Sequence, residues 1–303
     1  MKHTKIAIIG AGNVGSTIAY ACMLQNIGAE ITLTDINNDF CLGQVIDLQD
    51  VLAFSHTSQI THSSFKDAGK SDIIIICGGT KQDLNQKRTD LIQINQKVIS
   101  HIFAQIKPIR SDSIIIMVTN PVDIMTLYAQ RISNHPKHLL FESGTYLDSQ
   151  RLRGYIAQKV NIAPESIDAY MLAEHGDSEF AAWSAVRIGG NPIQSFATLT
   201  PHVLTDIENN VRNKAYEIIK LKCATYFGIA ACIASICKTI IFDEKTVLPL
   251  SVYHEKYNLC FSMPVILGSQ GIEKINDILL NTDENKALEQ SIQAIKNDSL
   301  SLV

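Results

Sequence analysis

No stretch of this chain approaches the roughly 20 consecutive apolar residues that a membrane-crossing helix needs, so a membrane anchor is not expected. The apolar run Ile6–Ile9 near the N-terminus is too short for a signal-peptide core, and glycines break up the residues beyond it. Basic charge is not in excess either. Lysine and arginine total 26 against 30 aspartate and glutamate, a formal charge of −4, which argues against nucleic acid or an anionic membrane as partner. The seven cysteines include no CxxC pair and no cluster with histidine at metal-ligand spacing, so neither a disulfide framework nor a zinc site is expected. They read as reduced, buried thiols of a soluble, unprocessed cytoplasmic protein. There is no internal repeat, low-complexity tract or flexible linker.

What is present is apolar residues at 46% and only 18% charged ones, over 303 residues: enough chain for two lobes around large cores. The first half alternates short apolar runs with helical-period segments, the pattern of a parallel sheet covered by helices. Lys5–Ile9, Glu30–Thr34, Asp72–Cys77, Ser113–Val118 and His138–Phe141 read as strands, with Ile73-Ile74-Ile75-Ile76 suited to a central strand buried on both faces. Leu91, Val98, Ile99, Ile102, Phe103 and Ile106 recur at helical spacing until Pro108 stops them. Beyond a boundary placed near residue 143, the spacing predicts a helix through Asp148–Val160, a strand near Ile167–Leu172 and a long helical region from Thr205 to Ile241. Strands at Val247–Tyr253 and Leu259–Leu267 and a charged helix from Glu284 complete the chain. The division is thus 1–143 and 144–303, an α/β doubly wound parallel sheet followed by an α+β domain.

The first strand runs into Gly10-Ala11-Gly12-Asn13-Val14-Gly15 and then a helix. Gly10 permits a tight turn, Gly12 lets the backbone approach a pyrophosphate, and Gly15 allows close helix–strand packing; unpaired N–H groups at the helix start favour the anion. Asp35 closes the next strand about 20 residues on, where a carboxylate accepts from ribose hydroxyls and repels a 2′-phosphate. This pattern favours NAD over NADP. Glycines that merely turn the chain, with Asp35 capping a loop, are the plainer alternative.

Chemistry is suggested at three further places. Ala173-Glu174-His175-Gly176-Asp177-Ser178-Glu179 puts an imidazole at the end of an apolar strand, suited to proton exchange near neutrality. Asp148 and Arg151 are three apart on one helix face, either a local ion pair or a pair that orients His175 and grips a carboxylate bidentately. A polar loop, Lys81-Gln82-Asp83-Leu84-Asn85-Gln86-Lys87-Arg88, comes after the third of these strands at the sheet edge where doubly wound folds bind ligands.

The glycine turn, Val118-Thr119-Asn120-Pro121-Val122-Asp123, Gly144-Thr145-Tyr146-Leu147-Asp148-Ser149-Gln150-Arg151 and Glu174-His175-Gly176-Asp177-Ser178-Glu179 together resemble the L-lactate/malate dehydrogenase family, and the resemblance covers essentially the whole chain. It implies a Rossmann domain over 1–143 and a substrate domain over 144–303. His175 would be the proton donor and acceptor, oriented by Asp148. Arg151 would anchor the substrate carboxylate, and Arg88, carried on a closing loop, would polarise the ketone. Asn120 would hydrogen-bond near that oxygen, next to a cis peptide before Pro121. Thr225 would line the pocket with Ile229 near the nicotinamide, and Gly78, Gly79, Thr80 and Val118 would complete the cofactor wall.

Gln82 stands where family members specific for malate carry an arginine, so it favours a monocarboxylate 2-oxo/2-hydroxy acid, lactate first. The loop lacks the Lys-Pro-Gly-Glu usual before the catalytic arginine, and Glu142 replaces a usual glycine. Phe180–Pro192 and Ser262-Met263-Pro264 are similar to L-2-hydroxyisocaproate dehydrogenases. The resemblance further implies a homotetramer, or at least a dimer. Allosteric lactate enzymes bind fructose 1,6-bisphosphate through an arginine and a histidine; Arg153 fits the first, but Asp168 takes the second position and would repel a phosphate. NAD-requiring glycosidases of this fold need a metal-binding Cys/His pair that cannot be placed, and a catalytically dead NAD sensor predicts a broken His175 or Arg151; both are intact.

Overall fold

The computed structural model describes residues 4–27, 29–55, 58–80 and 88–302, the side chain of Arg88 excepted. The expectations for Gln82, for the 83–86 loop and for the Arg88 guanidinium lie outside the described residues.

The first half reads β1 (Thr4–Ile9), α1 (Asn13–Leu24), β2 (Ala29–Thr34), α2 (Asn38–Gln49), β3 (Gln59–His62), α3 (Phe65–Ala68), β4 (Ile73–Ile76), α4 (Arg88–Ile106), β5 (Ile114–Met117), α5 (Val122–Ser133) and β6 (Leu140–Glu142). The second half continues α6 (Tyr146–Val160), β7 (Ile167–Asp168), β8 (Met171–Leu172), β9 (Phe180–Ala181), β10 (Arg187–Ile188), β11 (Asn191–Pro192), α7 (Pro201–Lys222), α8 (Phe227–Ile241), β12 (Thr246–His254), β13 (Leu259–Gly268), β14 (Gly271–Ile275) and α9 (Thr282–Ser299).

Six parallel strands lie in the order β3-β2-β1-β4-β5-β6, the doubly wound arrangement of dinucleotide-binding folds, and β12, β13 and β14 extend the same sheet antiparallel beyond β6. The join is narrow: Ser251 of β12 pairs with Glu142 of β6. Alternation along the strands divides the core. Ile6, Ile8, Ile31, Leu33, Ile73 and Ile75 face α1, α2 and α8, whereas Ala7, Ile9, Ile74, Ile76, Ile115 and Met117 face α4, α5 and α9. All four residues of β4 are buried, as a strand covered on both faces requires. At roughly 1.5–3 kcal/mol per fully buried aliphatic side chain, this isoleucine-rich centre stabilises the middle of the sheet. A third cluster packs α6 and α7 against the small strands through Leu152, Ile156, Met171, Val186 and Val211.

Four local expectations need correction. His138 sits in a short 3-10 turn (Lys137–Leu139) and its strand starts at Leu140. The apparent strand at Ile167–Leu172 is two short ones paired to different partners. The long helix from Thr205 to Ile241 is α7 and α8, separated where Cys223 takes a left-handed φ of +66°. Finally, all seven cysteines are free thiols, but Cys223 is exposed and Cys77 half-buried rather than buried.

Candidate active site

Where β1 ends, Gly10 adopts φ +103° and donates its N–H to Thr34 O at 2.8 Å, tying the turn to β2. A Cβ on Gly15 would lie 1.9 Å from the Gly10 carbonyl oxygen, so only glycine lets α1 approach the turn this closely. A Cβ on Gly12 would meet nothing within 4 Å, and no side chain caps the start of α1. Its first N–H groups therefore face open space, the environment a pyrophosphate needs. Asp35 accepts from Ala11 N at 2.7 Å and Asn37 N at 3.0 Å, which fixes the carboxylate beside the turn with lone pairs to spare for hydroxyl donors. These residues fit the NAD expected from the sequence.

This turn opens onto a cavity of about 390 Å3 lined by Gly10, Gly12, Asn13, Val14 and Gly15, and by Gly79, Thr80, Val118 and Asn120 from the ends of β4 and β5. Asp148, His175 and Thr225 line the same cavity. Arg151 and Ile229 border an adjoining one of about 430 Å3 that shares Thr225 as a wall. Gly78 stands behind the turn, its N only 2.8 Å from where a Gly10 Cβ would be.

Two segments deliver the chemistry. Thr145, fully buried before α6, gives its hydroxyl to Met171 O at 2.5 Å and its N–H to the Ser262 hydroxyl at 3.1 Å. This seats α6 so that Asp148 points inward. After β8, Ala173 holds a φ of +74°, costly for a residue with a Cβ, and two backbone bonds to Ser262 on β13 pin it. The strained turn aims His175 at α6. Its Nδ1 lies 2.7 Å from Asp148 Oδ2, while Arg151 donates to Asp148 Oδ1 at 2.8 Å.

Burial alone would push the His175 pKa down, but the Asp148 carboxylate, through charge and hydrogen bond, reverses this and raises it. Glu179 and Glu142 add to that lift only when ionised, and burial drives both carboxyls well above the usual range, so Asp148 is the lasting cause. Burial likewise works to raise the Asp148 pKa, yet His175 and Arg151 outweigh it and hold the carboxylate below its ordinary value. With Nδ1 committed to Asp148, the ring presents Nε2 for proton exchange, the requirement for a general acid–base catalyst.

Several groups at the site were not singled out by sequence reasoning. Asn95 on α4 takes the Thr80 N–H at 2.9 Å and donates to Asn120 O at 2.7 Å, locking two walls of the cavity together. Asp123 accepts the backbone N–H of His175 at 2.8 Å. Arg212 on α7 lines the cavity, donating to Glu179 O at 2.8 Å and pairing with Glu208. A helix-period pattern marks such residues only as polar positions; their convergence needs the fold. The peptide Asn120-Pro121 is cis, as the resemblance implies.

A glycine turn at the carboxyl end of a parallel sheet, sharing its cavity with a carboxylate-held histidine, defines a nicotinamide-dependent dehydrogenase. Residues 4–142 match the family described as lactate/malate dehydrogenase, NAD binding domain, and residues 145–301 match its alpha/beta C-terminal domain. The chain belongs to the lactate/malate dehydrogenase family, and is an NAD-dependent oxidoreductase acting on a CH–OH group.

Among its relatives, L-lactate dehydrogenase A of Rhizopus oryzae is 44% identical over 295 residues, covering 97% of this chain and 92% of the relative. L-lactate dehydrogenase of Kosmotoga olearia is 40% identical, with 96% and 94% covered. The crystal structure of the minor L-lactate dehydrogenase from Enterococcus mundtii in a ligands-bound form superposes with a TM-score of 0.96 at 32% identity, covering 100% of this chain and 99% of that one.

Proposed function

We propose that the chain is an L-lactate dehydrogenase, reducing pyruvate to L-lactate with NADH and running the reverse with NAD. The observation that carries this reading is the His175–Asp148 pair in the same cavity as the glycine turn. In this reading the N–H groups at the start of α1 hold the pyrophosphate and Asp35 the adenosine ribose. Gly78, Gly79, Thr80, Val118 and Ile229 wall the nicotinamide side. When bound, the nicotinamide would supply the hydride as NADH in the reductive direction and accept one as NAD in the reverse. His175 would give its Nε2 proton to the ketone oxygen, with Asp148 stabilising the imidazolium until that moment. Arg151 binds the substrate carboxylate through parallel hydrogen bonds, Arg88 and Asn120 stabilise charge on the oxygen, and Gln82 and Thr225 shape the space for the substrate tail.

The names of the relatives support lactate, and Gln82 supports a monocarboxylate over malate. A branched 2-oxo acid, as in L-2-hydroxyisocaproate dehydrogenases, is the second reading, favoured by Phe180–Pro192 and Ser262-Met263-Pro264. The division 1–143 and 144–303, a homotetrameric assembly, a cytoplasmic location and a place in fermentative glycolysis belong to the same proposal; light scattering of the purified chain tests the assembly. Comparing kcat/KM for pyruvate, 2-oxoisocaproate and oxaloacetate tests the substrate. Pyruvate ahead of both supports the reading; 2-oxoisocaproate ahead moves the chain to the branched-acid enzymes, and oxaloacetate ahead overturns the use of Gln82.

A further inference from the structure

Glu142 is a fully buried carboxyl where, among the described residues, β12 of the antiparallel strands pairs with β6 of the parallel sheet. Its Oε2 accepts the Gly144 N–H at 2.6 Å, whereas Oε1 has no hydrogen-bond partner among the described residues. Across the sheet junction, the Ser251 hydroxyl donates to Asp123 Oδ1 at 2.6 Å, and Asp123 Oδ2 takes the His175 backbone N–H at 2.8 Å. The Glu142 carboxyl also lies against Ser251. One side chain thus touches both arms of the site: the Gly144 turn that launches α6 with Asp148 and Arg151, and the Ser251–Asp123 contact that holds the His175 main chain.

We propose that Glu142 is a positioning residue for proton transfer, linking the α6 turn to the His175 segment through Gly144 on one side and Ser251 and Asp123 on the other. This rests on the dehydrogenase reading of His175. Among the described residues, no lysine or arginine forms an ion pair with the carboxyl. Asp123 faces it from α5, the Ser251 hydroxyl from β12, Cys260 from β13 and, beyond Asp123, His175; β5 presents Met117. Two buried carboxyls this close do not both ionise readily. Asp123 already accepts two donors, which suits the charged form, so Glu142 is the partner that keeps a proton. The Ser251 oxygen, donating its own hydrogen to Asp123, has lone pairs left to accept that proton's hydrogen bond. The order is then Glu142 O–H to Ser251 O–H to Asp123 carboxylate to His175 N–H.

Folding must hold the Glu142 proton above the pH at which an unfolded glutamate releases it, about 4.3. A group whose folded pKa is raised contributes stability that is lost as pH climbs from the unfolded value through the folded one. Glu142→Gln keeps the shape, the bond from Gly144 N–H and a donor for the proposed bond to Ser251, but has no proton to lose. Its melting temperature relative to the parent rises steadily from about pH 5 to about pH 8 if the carboxyl is neutral and proton-linked. In pyruvate turnover, Glu142→Gln stays within about threefold of the parent kcat, while Glu142→Ala and Ser251→Ala each lower kcat about tenfold or more and leave the NADH Kd unchanged.

A melting difference that is flat with pH overturns the proposal, as does a Glu142→Ala kcat equal to the parent's. If the parent itself turns over none of the 2-oxo acids, the dehydrogenase reading fails while the melting series still decides the state of Glu142.

Discussion

Gly12 and Gly15 lie three residues apart in one turn, and the structure predicts opposite failures when each gains a methyl group. At Gly15 the new Cβ would lie 1.9 Å from Gly10 O, backbone that cannot swing aside, and 3.2 Å from the Ile8 side-chain Cγ2. Restoring an ordinary contact moves the start of α1 by about 1.5 Å, a distance that breaks hydrogen bonds from its N–H groups to a phosphate. A bond to a charged group contributes about 1.5–3 kcal/mol, so losing one weakens NADH binding roughly ten- to a hundredfold. The overpacking adds about 1–3 kcal/mol of destabilisation. Gly12 has φ −67°, ψ −169°, open to any L-residue, and its Cβ meets nothing within 4 Å. Gly12→Ala therefore folds as the parent does but places a methyl in the cavity that Gly12 lines. NADH fluorescence titration with a thermal melt separates the two: Gly15→Ala loses affinity and stability, Gly12→Ala affinity alone. Gly15→Ala with parental affinity and melting temperature would refute the close-approach reasoning.

Arg151→Lys replaces a planar fork by a point charge beside Asp148, so the KM for pyruvate rises about ten- to a hundredfold while the NADH Kd holds; steady-state kinetics with both ligands varied checks this. Fructose 1,6-bisphosphate leaves the pyruvate KM unchanged near neutral pH, because Arg153 is turned to Ala169 O and the Tyr170 ring while exposed Asp168 offers a phosphate only repulsion; a severalfold fall in KM contradicts it.

The parallel sheet was legible because β1, β2, β4 and β5 must be apolar to be buried on both faces. β3 escaped notice: of Gln59–His62 only Ile60 is buried, an edge strand with nothing in its composition to announce it. β14 hides for the same reason, its central residues Ile272, Glu273 and Lys274 being half-buried or exposed. The break between α7 and α8 was invisible because apolar residues continue in helical period across Cys223–Tyr226. Four short motifs pointed to the cofactor turn and to His175, Asp148 and Arg151. The layer behind them was not readable. Asp123, Glu142 and Ser251 come from α5, β6 and β12, and only the pairing of β12 with β6 shows that they meet.

The proposed reaction requires Asp148 to keep His175 protonated as the acid for 2-oxo acid reduction. Burial lowers the ring's pKa and Asp148 raises it above the ordinary value, so the imidazolium persists until pH climbs through that raised value. The decisive measurement is kcat/KM for pyruvate against pH in the parent and in Asp148→Asn. The expected parent profile holds past neutrality and falls at alkaline pH, and the variant is at least about a hundredfold slower at neutral pH with its fall at lower pH. Profiles that fall at the same pH would contradict it, because the lift on His175 would then not come from Asp148.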